Sequence, residues 1–177
     1  MRRLIYIAGL LLLCGAYASA QTRTYSDLQS SAFVIGLESY YFGDAGSLAF
    51  SLGGRSFQAT VSEGSVSVGG TTLRSGLPRG GTLVGLHDFT DDGGAELVIA
   101  QRSEGFVQAF VYEYNQGRWT LLGSVGARSA GVSEIRVFRQ ALTIKDKGSG
   151  ALHTWTCHDG RFDFKSSSGL TDPDQLL

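Results

Sequence analysis

The chain has 177 residues, with 15 Lys and Arg against 16 Asp and Glu. A balance this close to neutral, with no basic cluster longer than a few residues, excludes an electrostatic footprint for nucleic acid. Twenty-five glycines against two prolines point to many short elements joined by tight turns.

The first twenty residues read as an export signal rather than as part of the fold. Arg2 and Arg3 are its basic region, and Leu4 to Leu13 is an apolar run too short to span a bilayer. Ala18-Ser19-Ala20 supplies the small-residue cleavage site, which makes Gln21 the expected mature N-terminus. Cys14 follows Leu13, a residue too large for a lipid-attachment site. The expected destination is therefore the periplasm or the medium of a bacterial cell. Without Arg2 and Arg3 the net charge is −3. Residues 21–170 have the length of a single domain, and residues 171–177 form an acidic tail expected to be mobile. Only Cys157 survives processing, so no intramolecular disulfide can form, and a buried thiol is the expected role.

Taken in chain order, residues 25–32 suggest a short helical turn. The remainder reads as an all-β domain. A first set of runs covers Ser47–Leu52, Phe57–Val61, Ser65–Val68 and Thr71–Arg74, separated by glycine pairs or Glu63-Gly64. A second covers Thr82–Asp88, Glu96–Gln101, Phe106–Tyr114 and Arg118–Ser124. A third covers Glu134–Phe138, Leu142–Lys145, Leu152–Cys157 and Arg161–Lys165, the last two divided by His158-Asp159-Gly160. A glycine that accepts positive φ at such a break marks a hairpin. The second and third sets align without a gap at an offset of 43 residues, Val111–Trp119 over Thr154–Phe162. Gly54-Arg55-Ser56-Phe57 echoes the Gly-Arg-aromatic turn of both. Four antiparallel strands per repeat of about 43 residues is a propeller-like pattern. Three repeats are too few for a standard ring, and for the smallest rings of about four blades unless residues 25–42 supply part of a fourth. An open propeller-like stack and a sandwich both remain compatible with the pattern.

Most of the visible chemistry lies in Asp88-Phe-Thr-Asp-Asp-Gly-Gly-Ala-Glu-Leu97. Oxygen-bearing side chains recur at Asp88, Thr90, Asp92 and Glu96, with Gly93 at the bend. Alternate positions on a tight loop can aim their oxygens at one hard cation such as Ca2+. The plain alternative is a solvated acidic turn. An EF-hand would place a carboxylate where Ile99 stands, so the loop is not a complete EF-hand.

These residues resemble the calcium loops of FG-GAP and related integrin-type propeller repeats, which read roughly Asp-x-Asp/Asn-x-Asp-Gly-x-x-Asp-Leu. Asp88, Asp92, Gly93 and Leu97 match, whereas Thr90 replaces Asp or Asn and Glu96 replaces Asp. The resemblance implies a structural calcium held by Asp88, Thr90, Asp92, the backbone carbonyl of Gly94 and Glu96. More loosely, the signal segment, length and β pattern are similar to those of small periplasmic propeller-like proteins, some of them immunity partners of lysozyme-like toxins.

Catalytic signatures are scarce. His87, His153 and His158 have no zinc spacing, and the chain carries neither a nucleophile elbow nor a phosphate loop. Glu104, Glu113 and Asp163 are isolated acids. Phe106, Phe110, Tyr112 and Tyr114 alternate along one strand, a pattern that suits a core between packed sheets. Tyr40-Tyr41-Phe42 cannot all face one core, which makes them the candidate contact patch for a protein partner, with a strand covered on both faces as the alternative. The expectation is a non-enzymatic, exported, calcium-stabilised binding module, with a cell-wall hydrolase as the partner it would inhibit. The alternatives are an adhesion or glycan-recognition module and, behind it, a hydrolase.

Overall fold

A computed structural model describes residues 36–78, 81–103, 105–128, 133–146 and 150–167. The expected signal segment, the helical turn at 25–32 and the acidic tail lie outside these residues. The described chain is all-β, with thirteen strands in three antiparallel sheets. The first sheet contains β2 (Gly46–Leu52), β3 (Arg55–Ser62), β4 (Ser65–Val68) and β5 (Thr71–Arg74), in that order. The third contains β10 (Ser133–Phe138), β11 (Ala141–Asp146), β12 (Leu152–His158) and β13 (Arg161–Ser167). Between them lies a five-stranded sheet of β1 (Ser39–Gly43), β6 (Thr82–His87), β7 (Glu96–Ser103), β8 (Phe106–Asn115) and β9 (Arg118–Arg128). The stack is open rather than closed into a ring.

The middle sheet is covered on both faces, which explains its nearly continuous apolar runs. Along β7, Leu97 and Ile99 face the first sheet, whereas Val98 and Ala100 face the third. On β8, Phe110 and Tyr112 join the first-sheet side, and Val107, Ala109 and Val111 join the other. Each fully buried Leu, Ile or Val contributes about 1.5–3 kcal/mol relative to exposure. The outer sheets alternate instead. In β2, Leu48 and Phe50 are buried while Ser47, Ala49 and Ser51 are exposed.

Local turn chemistry sets these registers. Gly53-Gly54, Glu63-Gly64, Gly69-Gly70, Gln116-Gly117 and Asp159-Gly160 each place two successive residues at positive φ. That is the geometry of the two-residue turn whose twist matches paired strands, with glycine second each time. The repeat extends to side chains. Tyr112 and Trp119 face the preceding sheet, and their counterparts Trp155 and Phe162 face theirs. Gly54-Arg55 does not belong to this correspondence. It turns between the first two strands of its sheet, not the last two.

A bulge between Val111 and Tyr112 in the β8–β9 pairing resets the alternation of β9. Trp119 therefore faces the first sheet, while Val125 and Ala127, also at odd positions, face the third. Of the expected aromatic stripe, Phe110 and Tyr112 are core. Phe106 is 37% exposed, with its ring lying over Gly126.

Residues 39–43 supply a strand, but not to a fourth repeat. β1 pairs antiparallel with β6, from Ser39 opposite Leu86 to Gly43 opposite Thr82. Tyr40 and Phe42 pack on the core shared with the third sheet, and Tyr41 packs on the one shared with the first.

Candidate functional site

The acidic segment joins β6 to β7 and closes on itself through its carboxylates. Asp88 Oδ1 accepts the Asp91 N–H at 2.7 Å, and Oδ2 accepts the Gly93 N–H at 3.0 Å. Asp92 Oδ1 accepts the Gly94 N–H at 2.7 Å. Asp91 and Gly93 sit at φ 59° and 85°. Aspartate tolerates that region better than most residues, and no atom lies within 4 Å of where a Gly93 Cβ would stand, so the demand on Gly93 is conformational only.

Glu96 opens β7 and is 2% exposed. Its Oε2 accepts the Phe89 N–H at 2.7 Å, and its Oε1 accepts the Thr90 hydroxyl at 3.1 Å. Burial pushes the Glu96 carboxyl above its ordinary range. The Phe89 and Thr90 hydrogen bonds pull it back, and the charges of Asp88 and Asp92 push it up again.

Carboxylate oxygens of Asp88, Asp92 and Glu96 all lie within 4.8 Å of one another. Three hard oxygen groups with no nitrogen or sulfur among them fit Ca2+ or Mg2+ better than zinc. Thr90 spends its proton on Glu96 and keeps oxygen lone pairs to offer. The Gly94 N–H is held by Asp92, which folds the Gly94 backbone toward the same loop. Asp91 is exposed and contributes its N–H rather than its carboxylate.

The loop is anchored through Phe89, which is fully buried in the core between the middle and third sheets. Its ring meets those of His87 at 4.6 Å and Phe162 at 5.1 Å, both edge to face. His87 supports the loop through this ring contact and bonds away from the carboxylates. Its Nε2 donates to the Arg139 carbonyl at 2.6 Å, across to the β10–β11 turn.

Beside the loop lies a cleft of about 570 Å³. Phe89 and Thr90 form one side, Gln140 contributes from the β10–β11 turn, and Thr156 to Gly160 with Asp163 form the wall opposite. Cys157 is buried, as expected. Its thiol is pushed up first by burial, then by the charge of Glu96, while a hydrogen bond to the Gly160 backbone opposes the shift and Asp163 adds to it. His158 Nδ1 lies 3.3 Å from Asp159 Oδ1, with both side chains exposed.

Sequence reasoning left this cleft unread. Asp159 is legible only as a turn residue and Asp163 only as an isolated acid, and about seventy residues separate them from Thr90. The usable signal was the repeat, which places Gln140 where the acidic loop stands one unit earlier. Tyr40, Tyr41 and Phe42 are half-buried on both cores and stand apart from the loop in the chain. Tyr40 and Phe42 pack on one core and Tyr41 on the other, each with part of its surface exposed. Comparisons with protein-family models, curated proteins and solved structures found no match. The likeness to FG-GAP loops therefore stands on the loop residues alone.

Proposed function

We propose that this chain is an exported, non-enzymatic binding module whose acidic loop is stapled by calcium, and that its partner is a protein. The observation that carries the reading is the convergence of Asp88, Asp92 and Glu96 on a loop whose Phe89 is fixed in the core. Such a loop is built to hold position. Calcium, when bound, would supply positive charge that offsets three neighbouring carboxylates, with Thr90 and the Gly94 carbonyl completing the oxygen set. The thiol of Cys157, held toward its protonated form, is a poor nucleophile.

The partner class we infer is a cell-wall hydrolase in the periplasm, which the module would inhibit. This part rests on the export-type N-terminus and the analogy with small periplasmic immunity proteins. The test is co-purification with a peptidoglycan hydrolase encoded beside this chain, followed by its lytic assay. Stoichiometric binding with loss of lysis supports the reading. A hydrolase that neither binds nor slows overturns the inhibitor role.

A further inference from the structure

The β4–β5 pairing slips by one residue between Val66 and Ser67, so that Arg74 rather than Leu73 stands opposite Val66. In a regular register Arg74 would stand opposite Ser65, on the solvent-facing side with Ser67 and Thr72. The bulge turns it inward instead. Its guanidinium lies 3.7 Å from the centre of the Phe110 ring, in the core between the first and middle sheets. It also donates to the Tyr112 hydroxyl, which in turn donates to the Leu73 carbonyl at 3.1 Å. Half-buried as it is, this cation has no counterion. The ion pairs among the described residues join Arg136 to Glu134 and His158 to Asp159, and no carboxylate reaches Arg74. Arg74 Nε is buried with no hydrogen-bond partner. Two residues along β8 from Phe110 the same face carries Gln108, with Gln101 opposite it on β7. Gln101 Oε1 is likewise buried without a partner.

We propose that Arg74 binds a carboxylate monoanion at the rim between the first and middle sheets. A guanidinium presents a planar fork of donors that matches a carboxylate, and stacking on a ring leaves the edge of that fork free. The Phe110 ring and the Tyr112 hydroxyl hold the fork in place before a ligand arrives, which lowers the ordering cost of binding. One cation beside neutral carboxamides suits a single negative charge better than a phosphate dianion. The bulge separates this residue from an ordinary surface arginine, because a regular register would leave the side chain in water with nothing to compensate. The site shares no residue with the acidic loop, whose Phe89 lies in the other core, and it stands whether or not that loop takes calcium.

The test titrates the purified protein with propionate at constant ionic strength in calcium-free buffer, followed by NMR of the arginine Nε–H and backbone amide signals. Saturable shifts are expected at the Arg74 Nε–H and at the amides of Leu73, Arg74 and Phe110. The neutral analogue propionamide should not bind. Arg74→Gln should abolish binding, and Arg74→Lys, which keeps the charge but loses the fork, should weaken it about tenfold. Arg55→Gln, at an exposed arginine of the same sheet, should leave the constant unchanged. N-acetylglutamate methylamide presents the same group as a protein side chain. Binding about tenfold tighter than propionate assigns the site to an acidic residue of a protein partner, and equal constants assign it to a small acid. Non-saturating shifts, equal affinity for propionamide, or an unchanged constant in a folded Arg74→Gln would each overturn the proposal. Should that variant fail to fold, an unchanged constant in Arg74→Lys overturns it. Because no calcium is present, failure here speaks to Arg74 and not to the acidic loop.

Discussion

Phe89 donates its backbone N–H to Glu96 Oε2 across 2.7 Å, and both residues are sealed from solvent. One residue of the acidic loop thus anchors it by its ring and fixes the buried carboxylate by its backbone. The chemistry of the loop and the packing of two sheets meet at this contact.

The first prediction concerns pH. Burial raises the folded Glu96 carboxyl above the ordinary 4.5, so near that value the folded chain keeps a proton that the unfolded chain releases. The contribution to stability is complete below the unfolded value and is lost as pH rises through the folded one. In chelated buffer, the wild-type melting temperature should fall relative to Glu96→Gln over that window. Parallel pH profiles for the two proteins would remove Glu96 as the titrating group.

Calcium should act in the opposite direction. Tenfold excess over the dissociation constant gives about 1.4 kcal/mol of stabilisation, a rise of a few degrees in melting temperature. Asp92→Ala should abolish the rise, since it removes one carboxylate from an exposed position. A wild type indifferent to millimolar calcium would make the loop a plain acidic turn.

Phe89→Ala should cost about 3–5 kcal/mol, the range for deleting a buried aromatic. The cavity would open where the ring contacts His87 and Phe162. A lowered denaturant midpoint at an unchanged slope would show the loss as stability alone. A cost under about 1 kcal/mol would mean that the loop is not anchored as described.

Two glycines separate conformation from contact. Gly53 and Gly64 have φ of 54° and 75°, but only at Gly64 would a Cβ meet backbone, the Leu77 carbonyl oxygen at 2.7 Å. Gly53→Ala should cost about 1–2 kcal/mol, the usual penalty of a left-handed side chain. Gly64→Ala should cost more, because the Leu77 N–H also bonds the Gly64 carbonyl at 2.8 Å. Equal midpoints for the two variants would show that the Leu77 contact yields freely.

The three strand sets were legible because alternation and glycine turns are local signals. The expected Thr82–Asp88 strand ends one residue earlier, at His87, where Asp88 turns its carboxylate to the Asp91 and Gly93 amides. The strand expected to end at Ser124 runs to Arg128, since the bulge near Val111 lets Gly123 and Gly126 stay paired. Long-range partners were not legible. Nothing in Tyr40-Tyr41-Phe42 names β6 as its mate, although Gly81 and Gly85 mark the space those residues fill: a Cβ at Gly81 would meet the Phe42 ring, and one at Gly85 would meet Leu37 and Tyr40. The loop's ligand-bearing residues were visible as a spacing. Their depth was not, because Glu96 is buried by a sheet that comes later in the chain.

The placement of β1 has a consequence for how such a chain can grow. Strands on either side of the first sheet in sequence, β1 and β6, are hydrogen-bonded to each other, so that sheet is a loop tied at its base. A repeat duplicated ahead of Ser39 would find the edge of β6 already taken. One appended beyond Ser167 would meet β13, which among the described residues has a sheet neighbour on one side only. The β6 edge is therefore closed to a further strand, whereas β1, like β13, has a sheet neighbour on one side only among the described residues.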